Sequence, residues 1–308
     1  MKIAFVFPGE GSQFPGMLHQ LLPNRATQQV LDQISEALGF DVRKLDAAKE
    51  LESVVSIQLA IFAAGVATAR ALVDSGLQPA AVAGHSIGAF AAAVTAEVLS
   101  LRDAVELVRL RAENMESLYP NGYGLSVIVG LSEAQVTAIV EGVTSPNRPV
   151  FVANINAPRQ IVIAGENDGM DLVLMEALRG GARKAIRLRV PVLSHCPLLQ
   201  PVADMLNSRI SNMKTSPPRV PFLANVSGRA LRAAEQVAKD LAENVARGVR
   251  WYDASVVLTE LGCNLFLEMP PGHVLTDLAE QNLPTVRAIA VSAAVTTRIL
   301  RLARLEHP

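Results

Sequence analysis

The run Ala81-Val82-Ala83-Gly84-His85-Ser86-Ile87-Gly88 sets a short apolar strand directly before a serine bracketed by glycines. Residues Ile87 to Val98 then read as a buried helix. A strand that turns so sharply into a helix needs small residues on both sides of the serine, and it lifts the hydroxyl above the sheet at the positive end of the helix. The backbone N–H of Ile87 then points to where an oxyanion would form. As a pentapeptide, G-x-S-x-G is a weak signal, and its place between strand and helix is what gives it weight. The alternative is a glycine-rich turn that happens to contain a serine.

Working outward, Ile3 to Phe7 form a fully apolar strand that runs at once into Pro8-Gly9-Glu10-Gly11-Ser12. Ser56 to Val73 is alanine-rich and reads as a buried helix, and Pro79 punctuates before the second strand. Strands alternating with helices over short connections imply an α/β fold with a mostly parallel sheet covered on both faces.

The middle of the chain has a different rhythm. Leu125–Val129 reads as a strand, Ser132–Glu141 as a helix capped by Ser132, and Val150–Asn154 and Gln160–Ala164 as two strands. Asp168–Arg179 is a helix closed by Gly180-Gly181, and Lys184–Val190 is a last strand. The order βαββαβ is that of a ferredoxin-like unit. Residues 123–190 are therefore expected to form a small subdomain inserted between the two parts, 1–122 and 191–308, of the larger domain. After Pro191 the α/β pattern resumes, with a helix from Pro197 to Met213 and a strand-like Pro221–Asn225.

Composition narrows the function. Half of the 308 residues are hydrophobic and the formal net charge is -1, so bulk electrostatics give no support to nucleic-acid binding. The two cysteines, Cys196 and Cys263, have neither metal-ligand nor disulfide-framework spacing and fit a reducing cytoplasm. The stretch Ala80–Leu101 is long enough to span a bilayer, but it holds His85, Ser86 and Glu97 and is better explained as strand, turn and buried helix. The reading is a cytoplasmic protein without a membrane partner.

A serine needs a base to act as a nucleophile at neutral pH. Of the five histidines, His19 lies in a polar stretch, His307 is next to the C-terminus, and His85 adjoins the serine and should point away from it. His195, in Leu193-Ser194-His195-Cys196, and His273, in Pro270-Pro271-Gly272-His273, both remain as candidates.

The residues Phe5-Val6-Phe7-Pro8-Gly9-Glu10-Gly11-Ser12-Gln13, the Gly84–Gly88 turn, Arg109-Leu110-Arg111, Ser194-His195-Cys196 and Pro270-Pro271-Gly272-His273-Val274-Leu275 resemble, in order and spacing, the malonyl-CoA:acyl-carrier-protein transacylases. The resemblance covers essentially the whole chain. It implies an α/β-hydrolase-like core with an inserted ferredoxin-like subdomain. It also implies that Ser86 is the nucleophile and His195 its base, oriented by a backbone carbonyl at about Asn244 rather than by an acid. Backbone N–H groups of Glu10 and Ile87 would form the oxyanion hole, Arg111 would bind the malonyl carboxylate, and Gln58 would stand near the acyl pocket. No cofactor is implied, since coenzyme A enters as a thioester substrate. Without the resemblance, Arg111 would read as one more surface arginine beside Arg102 and Arg109.

Three departures stand out. Glu10 occupies a position where the family usually has glutamine, Leu59 replaces a proline, and Ala89-Phe90 replaces a Glu-Tyr pair. Ala89-Phe90, Asn121-Gly122-Tyr123-Gly124 and Glu268-Met269-Pro270-Pro271-Gly272 look more like the transacylase (epsilon) subunit of malonate decarboxylase, whose carrier protein bears a phosphoribosyl-dephospho-CoA arm. An acidic carrier protein needs a basic landing surface. The candidates are Arg183, Lys184, Arg187 and Arg189 in the subdomain, or Arg298, Arg301 and Arg304 near the C-terminus. The competing functions are a malonyl transacylase of fatty-acid or polyketide synthesis, a serine hydrolase such as a thioesterase, and a non-enzymatic scaffold. A hydrolase usually places an acid between serine and histidine in the chain, and none stands out here.

Overall fold

The computed structural model describes residues 2–119, 121–188, 190, 192–292 and 294–296. Numbered along the chain, the main sheet holds β1 (Ile3–Phe7), β2 (Ala81–Gly84), β7 (Phe222–Leu223), β8 (Ala230–Leu231), β9 (Leu265–Glu268) and β10 (Arg287–Ala290). Their order is β10-β9-β1-β2-β7-β8, parallel throughout except for β8 at one edge. Period-two alternation sends successive residues to opposite faces. Phe5 and Phe7 join one apolar cluster with Ile57, Phe62 and Phe90, whereas Ala4 and Val6 join another with Trp251, Phe266 and Leu275. With both faces covered, β1 has no room for a polar residue, which is why it is apolar at every position.

Helices α1 (Arg25–Leu38), α2 (Val54–Val73), α3 (Gly88–Thr95) and α4 (Leu101–Leu118) follow the first two strands. Helix α2 is long and apolar enough to cross a membrane by length and composition, yet nearly all of it is buried within the protein. Apolar residues all around it therefore belong to a central core helix. Gly65 in its middle lets the Phe7 ring approach to 3.1 Å of where a Cβ would stand. The Ala80–Leu101 stretch folds as β2, the serine turn and α3, as read from the sequence.

The second sheet contains β3 (Tyr123–Val129), β4 (Val150–Ala157), β5 (Gln160–Glu166) and β6 (Lys184–Arg187), with α5 (Glu133–Val143) and α6 (Asn167–Arg179). Its order is β4-β5-β3-β6 with antiparallel neighbours, the ferredoxin-like arrangement. Ser132 and Gln135 form a reciprocal capping box that starts α5. Ile128, Ile161 and Ile163 pack beneath α5 and α6, while Leu125, Val127 and Val162 face the other way. The last strand stops at Arg187, short of Val190, and the helix expected from Pro197 opens as a single 3-10 turn before α7 (Gln200–Ile210). Helices α8 (Ala234–Glu243), α9 (Trp251–Glu260) and α10 (Val274–Asn282) complete the large body.

Candidate active site

Ser86 sits on the turn between β2 and α3 with φ 55°, a left-handed conformation uncommon outside glycine. The neighbouring glycines are obligatory. A Cβ on Gly84 would stand 2.1 Å from the Gly88 carbonyl carbon, and one on Gly88 would stand 2.3 Å from the Phe7 oxygen. The turn is also tied from outside. Asn225, just beyond β7, accepts from the Ser86 N–H (2.8 Å) and donates to the Gly84 carbonyl (2.9 Å). The buried Asp240 of α8 in turn accepts from the backbone N–H groups of Asn225 and Val226, both at 2.9 Å. Burial lifts the Asp240 carboxyl to about 6, against these hydrogen bonds.

The His195 side chain reaches the same point. Its Nε2 lies 2.8 Å from Ser86 Oγ, and its Nδ1 lies 2.5 Å from the backbone oxygen of Asn244. A carbonyl can only accept, so Nδ1 carries the proton and Nε2 presents its lone pair to the serine O–H. Asn244 is the C-cap of α8, where carbonyls lack helical partners and carry the negative end of the dipole. Burial, then the charge of Arg111, hold His195 down to about 3, so the ring is a neutral acceptor at pH 7. The other candidate, His273, is exposed and paired with Asp277 at 2.9 Å. His85 hydrogen-bonds Asn156 at 3.1 Å, away from the serine.

Arg111 is fully buried. Residues 104, 107, 108, 111, 112 and 115 form the buried face of α4, and that spacing carries the guanidinium inward while Arg109 pairs with Glu113 outside. Arg111 Nη2 donates to Ser86 Oγ at 3.0 Å and Nη1 donates to Gln58 Oε1 at 2.5 Å. Gln58 Nε2 donates to Glu10 Oε1 at 2.5 Å, so the Glu10 carboxylate points inward. Burial lowers Arg111 to about 10, partly countered by Glu10, and the group remains a cation at neutral pH. The N–H groups of Gly88, Ala89 and Phe90 donate to the His85, Ser86 and Ile87 carbonyls, whereas the N–H of Ile87, the N-cap of α3, has no acceptor among the described residues.

A cavity of about 360 Å³ opens over Ser86. Gly9, Glu10, His85 and His195 line it from the large body, and Leu125, Val127, Asn154, Asn156 and Gln160 line it from the second sheet. The structure therefore brings Ser86, His195, Asn244, Arg111, Gln58 and Glu10 together. It does not leave Arg187 free for a partner, because that guanidinium donates to Asn167 and Asp171. Arg183 and Lys184 are exposed, and Arg189, Arg298, Arg301 and Arg304 lie outside the described residues. Sequence reading missed Asn225 and Asp240. The available signal was Asp240 itself, an acid on the apolar face of α8 beside Val237 and Leu241.

A serine elbow with a carbonyl-oriented histidine and a buried arginine suits transfer of an anionic acyl group. The family profile for the acyl transferase domain matches residues 4–301, and the chain belongs to that family of enzymes. Within it, the chain is similar to the malonyl CoA-acyl carrier protein transacylase of Salmonella typhimurium, at 34% identity over 96% of this chain and 99% of that protein. The transacylase of Bacillus subtilis is 33% identical over 97% of this chain and 96% of that one. Among solved structures, a malonyl-transacylase in complex with its holo type II polyketide acyl-carrier protein superposes with TM-score 0.93 at 33% identity, covering 98% of this chain and 100% of that chain. The transacylase of Coxiella burnetii gives TM-score 0.92 at 33% identity, covering 99% and 97%.

Proposed function

We propose that this chain moves a malonyl group from malonyl-CoA, through a malonyl-serine intermediate, to the thiol of an acyl carrier protein. The observation that carries the reading is the continuous relay from the Asn244 carbonyl through His195 and Ser86 to Arg111. Ser86 Oγ attacks the thioester carbonyl while His195 Nε2 takes the hydroxyl proton. The tetrahedral oxyanion is met by the N–H groups of Glu10 and Ile87. The carbon–sulfur bond then breaks and coenzyme A leaves with the proton from His195. The carrier thiol reverses these steps, giving ping-pong kinetics. Arg111 pairs with the free carboxylate of malonyl through charge-assisted hydrogen bonds, which holds the thioester in line.

The carrier we favour is that of malonate decarboxylase, in the cytoplasm. The support is the likeness of Ala89-Phe90 and Glu268–Gly272 to that system's transacylase subunit. Ala89 and Phe90 are fully buried, so this likeness is one of the core and neither side chain touches an acceptor. A transacylase of fatty-acid or polyketide synthesis is the second reading, supported by the relatives named above. Transfer to a decarboxylase carrier and to a fatty-acid carrier, compared at one ionic strength, tests the choice. Higher kcat/KM for the decarboxylase carrier is expected, and equal or better transfer to the fatty-acid carrier overturns it.

A further inference from the structure

The buried guanidinium of Arg111 already has a resident counter-charge. Arg111 Nη1 donates to Gln58 Oε1, and the other end of the same amide donates to Glu10 Oε1, both at 2.5 Å. The second Glu10 oxygen and Arg111 Nε are buried without a partner among the described residues. Gln58 is fully buried with both ends of its amide engaged, so it has no further donor aimed at a second anion. Where the family usually has a neutral glutamine, this pocket thus holds one cation and one ionisable carboxyl group.

Resting on the transacylase reading, we propose that Glu10 is an acyl-specificity residue: malonyl is accepted beside Arg111 together with a proton that the Glu10 carboxyl group takes up, whereas an uncharged acyl group needs none. Two carboxylates gathered around one buried cation repel each other, and the pair is relieved when one of them binds a proton. Malonyl brings the second carboxylate, and Glu10 is the group with a bare oxygen to receive the proton. A protonated Glu10 then offers a donor where the carboxylate offered only repulsion. Burial already raises Glu10 above the usual carboxylate range, outweighing Arg111 and the Gln58 hydrogen bond. The titratable neighbours do not compete for this role. Arg111 stays charged, burial disfavours the protonated form of His85, and burial with the Arg111 charge holds His195 down to about 3.

The test is the rate of acyl-enzyme formation with malonyl-CoA and with acetyl-CoA from about pH 5 to pH 9, in the native protein and in Glu10→Gln. In the native protein the malonyl-to-acetyl ratio is expected to fall with rising pH, at up to about tenfold per pH unit. In Glu10→Gln the ratio should be independent of pH, and at the alkaline end about tenfold or more above the native value. Acetyl transfer in the same preparation reports folding and the serine–histidine chemistry, so a damaged variant would lose both reactions. An indicator dye on the native protein gives a second reading: malonyl loading should take up more protons than acetyl loading, by up to about one per adduct. A flat native ratio, a slope that survives in Glu10→Gln, or equal proton uptake overturns the proposal. A native protein that takes acetyl but never malonyl would instead remove the transacylase reading, and this inference with it.

Discussion

The two sheets meet at one cavity but contribute differently to it. The large sheet is buried on both faces, and on that side the serine N–H is tied to Asn225, His195 to Asn244 and Arg111 to Gln58. The small sheet packs one face under its two helices and turns Leu125, Val127 and Val162 of the other toward the cavity, with Asn154, Asn156 and Gln160. That lining is half apolar and half amide, with no charged side chain among these six residues. The difference assigns the reacting groups to the body that orients them by hydrogen bonds, and leaves the uncharged wall to shape what enters.

The largest expected effects therefore lie on the large body. Ser86→Ala should lower acyl transfer by about four to six orders of magnitude. His195→Ala should cost about two to four orders, while His273→Ala, on an exposed side chain, should cost less than about threefold. Steady-state kinetics on the three variants decides it, and a reversal of the two histidines would move the base to His273.

Arg111→Ala comes next, with a fall of about 100-fold in preference for malonyl over acetyl, because the malonyl carboxylate is left unpaired in a buried site. An equal fall with both substrates would make Arg111 structural. The same variant should move the acidic limb of the acetyl-transfer pH profile. The native His195 is held to about 3 by burial and by the Arg111 cation. Removing the cation favours the protonated ring, so its pKa rises and acetyl transfer is lost at a higher pH than in the native protein.

Asn225→Ala removes the side chain that joins Ser86 to Gly84. It should cost about 1–3 kcal/mol of stability by leaving a buried donor and acceptor unpaired, as read by denaturant unfolding. The smallest effect belongs to the small body. Neutralising Arg183 and Lys184 should slow transfer to a carrier a few-fold at low salt, with the difference vanishing as salt is raised.

Much of this contrast was legible in the chain. Strand β1 and the glycine-bracketed serine announce themselves because a doubly covered strand must be apolar and a turn that tight must lack side chains. The βαββαβ order of the small sheet is equally plain, because each element carries its own periodicity and caps. What stayed hidden depends on the partners of a folded side chain. Arg111 reads as part of a charged stretch with Arg102 and Arg109, and only its register with Ala104, Leu107, Val108 and Met115 gives it away. Asn225 and Asp240 act on Ser86 across more than a hundred residues of chain, and Asn225 sits in no motif. Whether Glu10 faces inward is likewise a matter of packing. The usual glutamine and this glutamate have the same shape, and only the contact with Gln58 decides the direction.

Transfer by this route requires Ser86 to carry malonyl between two thiols. Brief incubation with labelled malonyl-CoA, acid quenching, proteolysis and peptide mass measurement test this directly. The expected result is one malonyl group on the peptide that contains Ser86, discharged when a carrier protein with its thiol arm is added. Label on another residue, or an unmodified Ser86 peptide from a protein that still transfers malonyl, would contradict it.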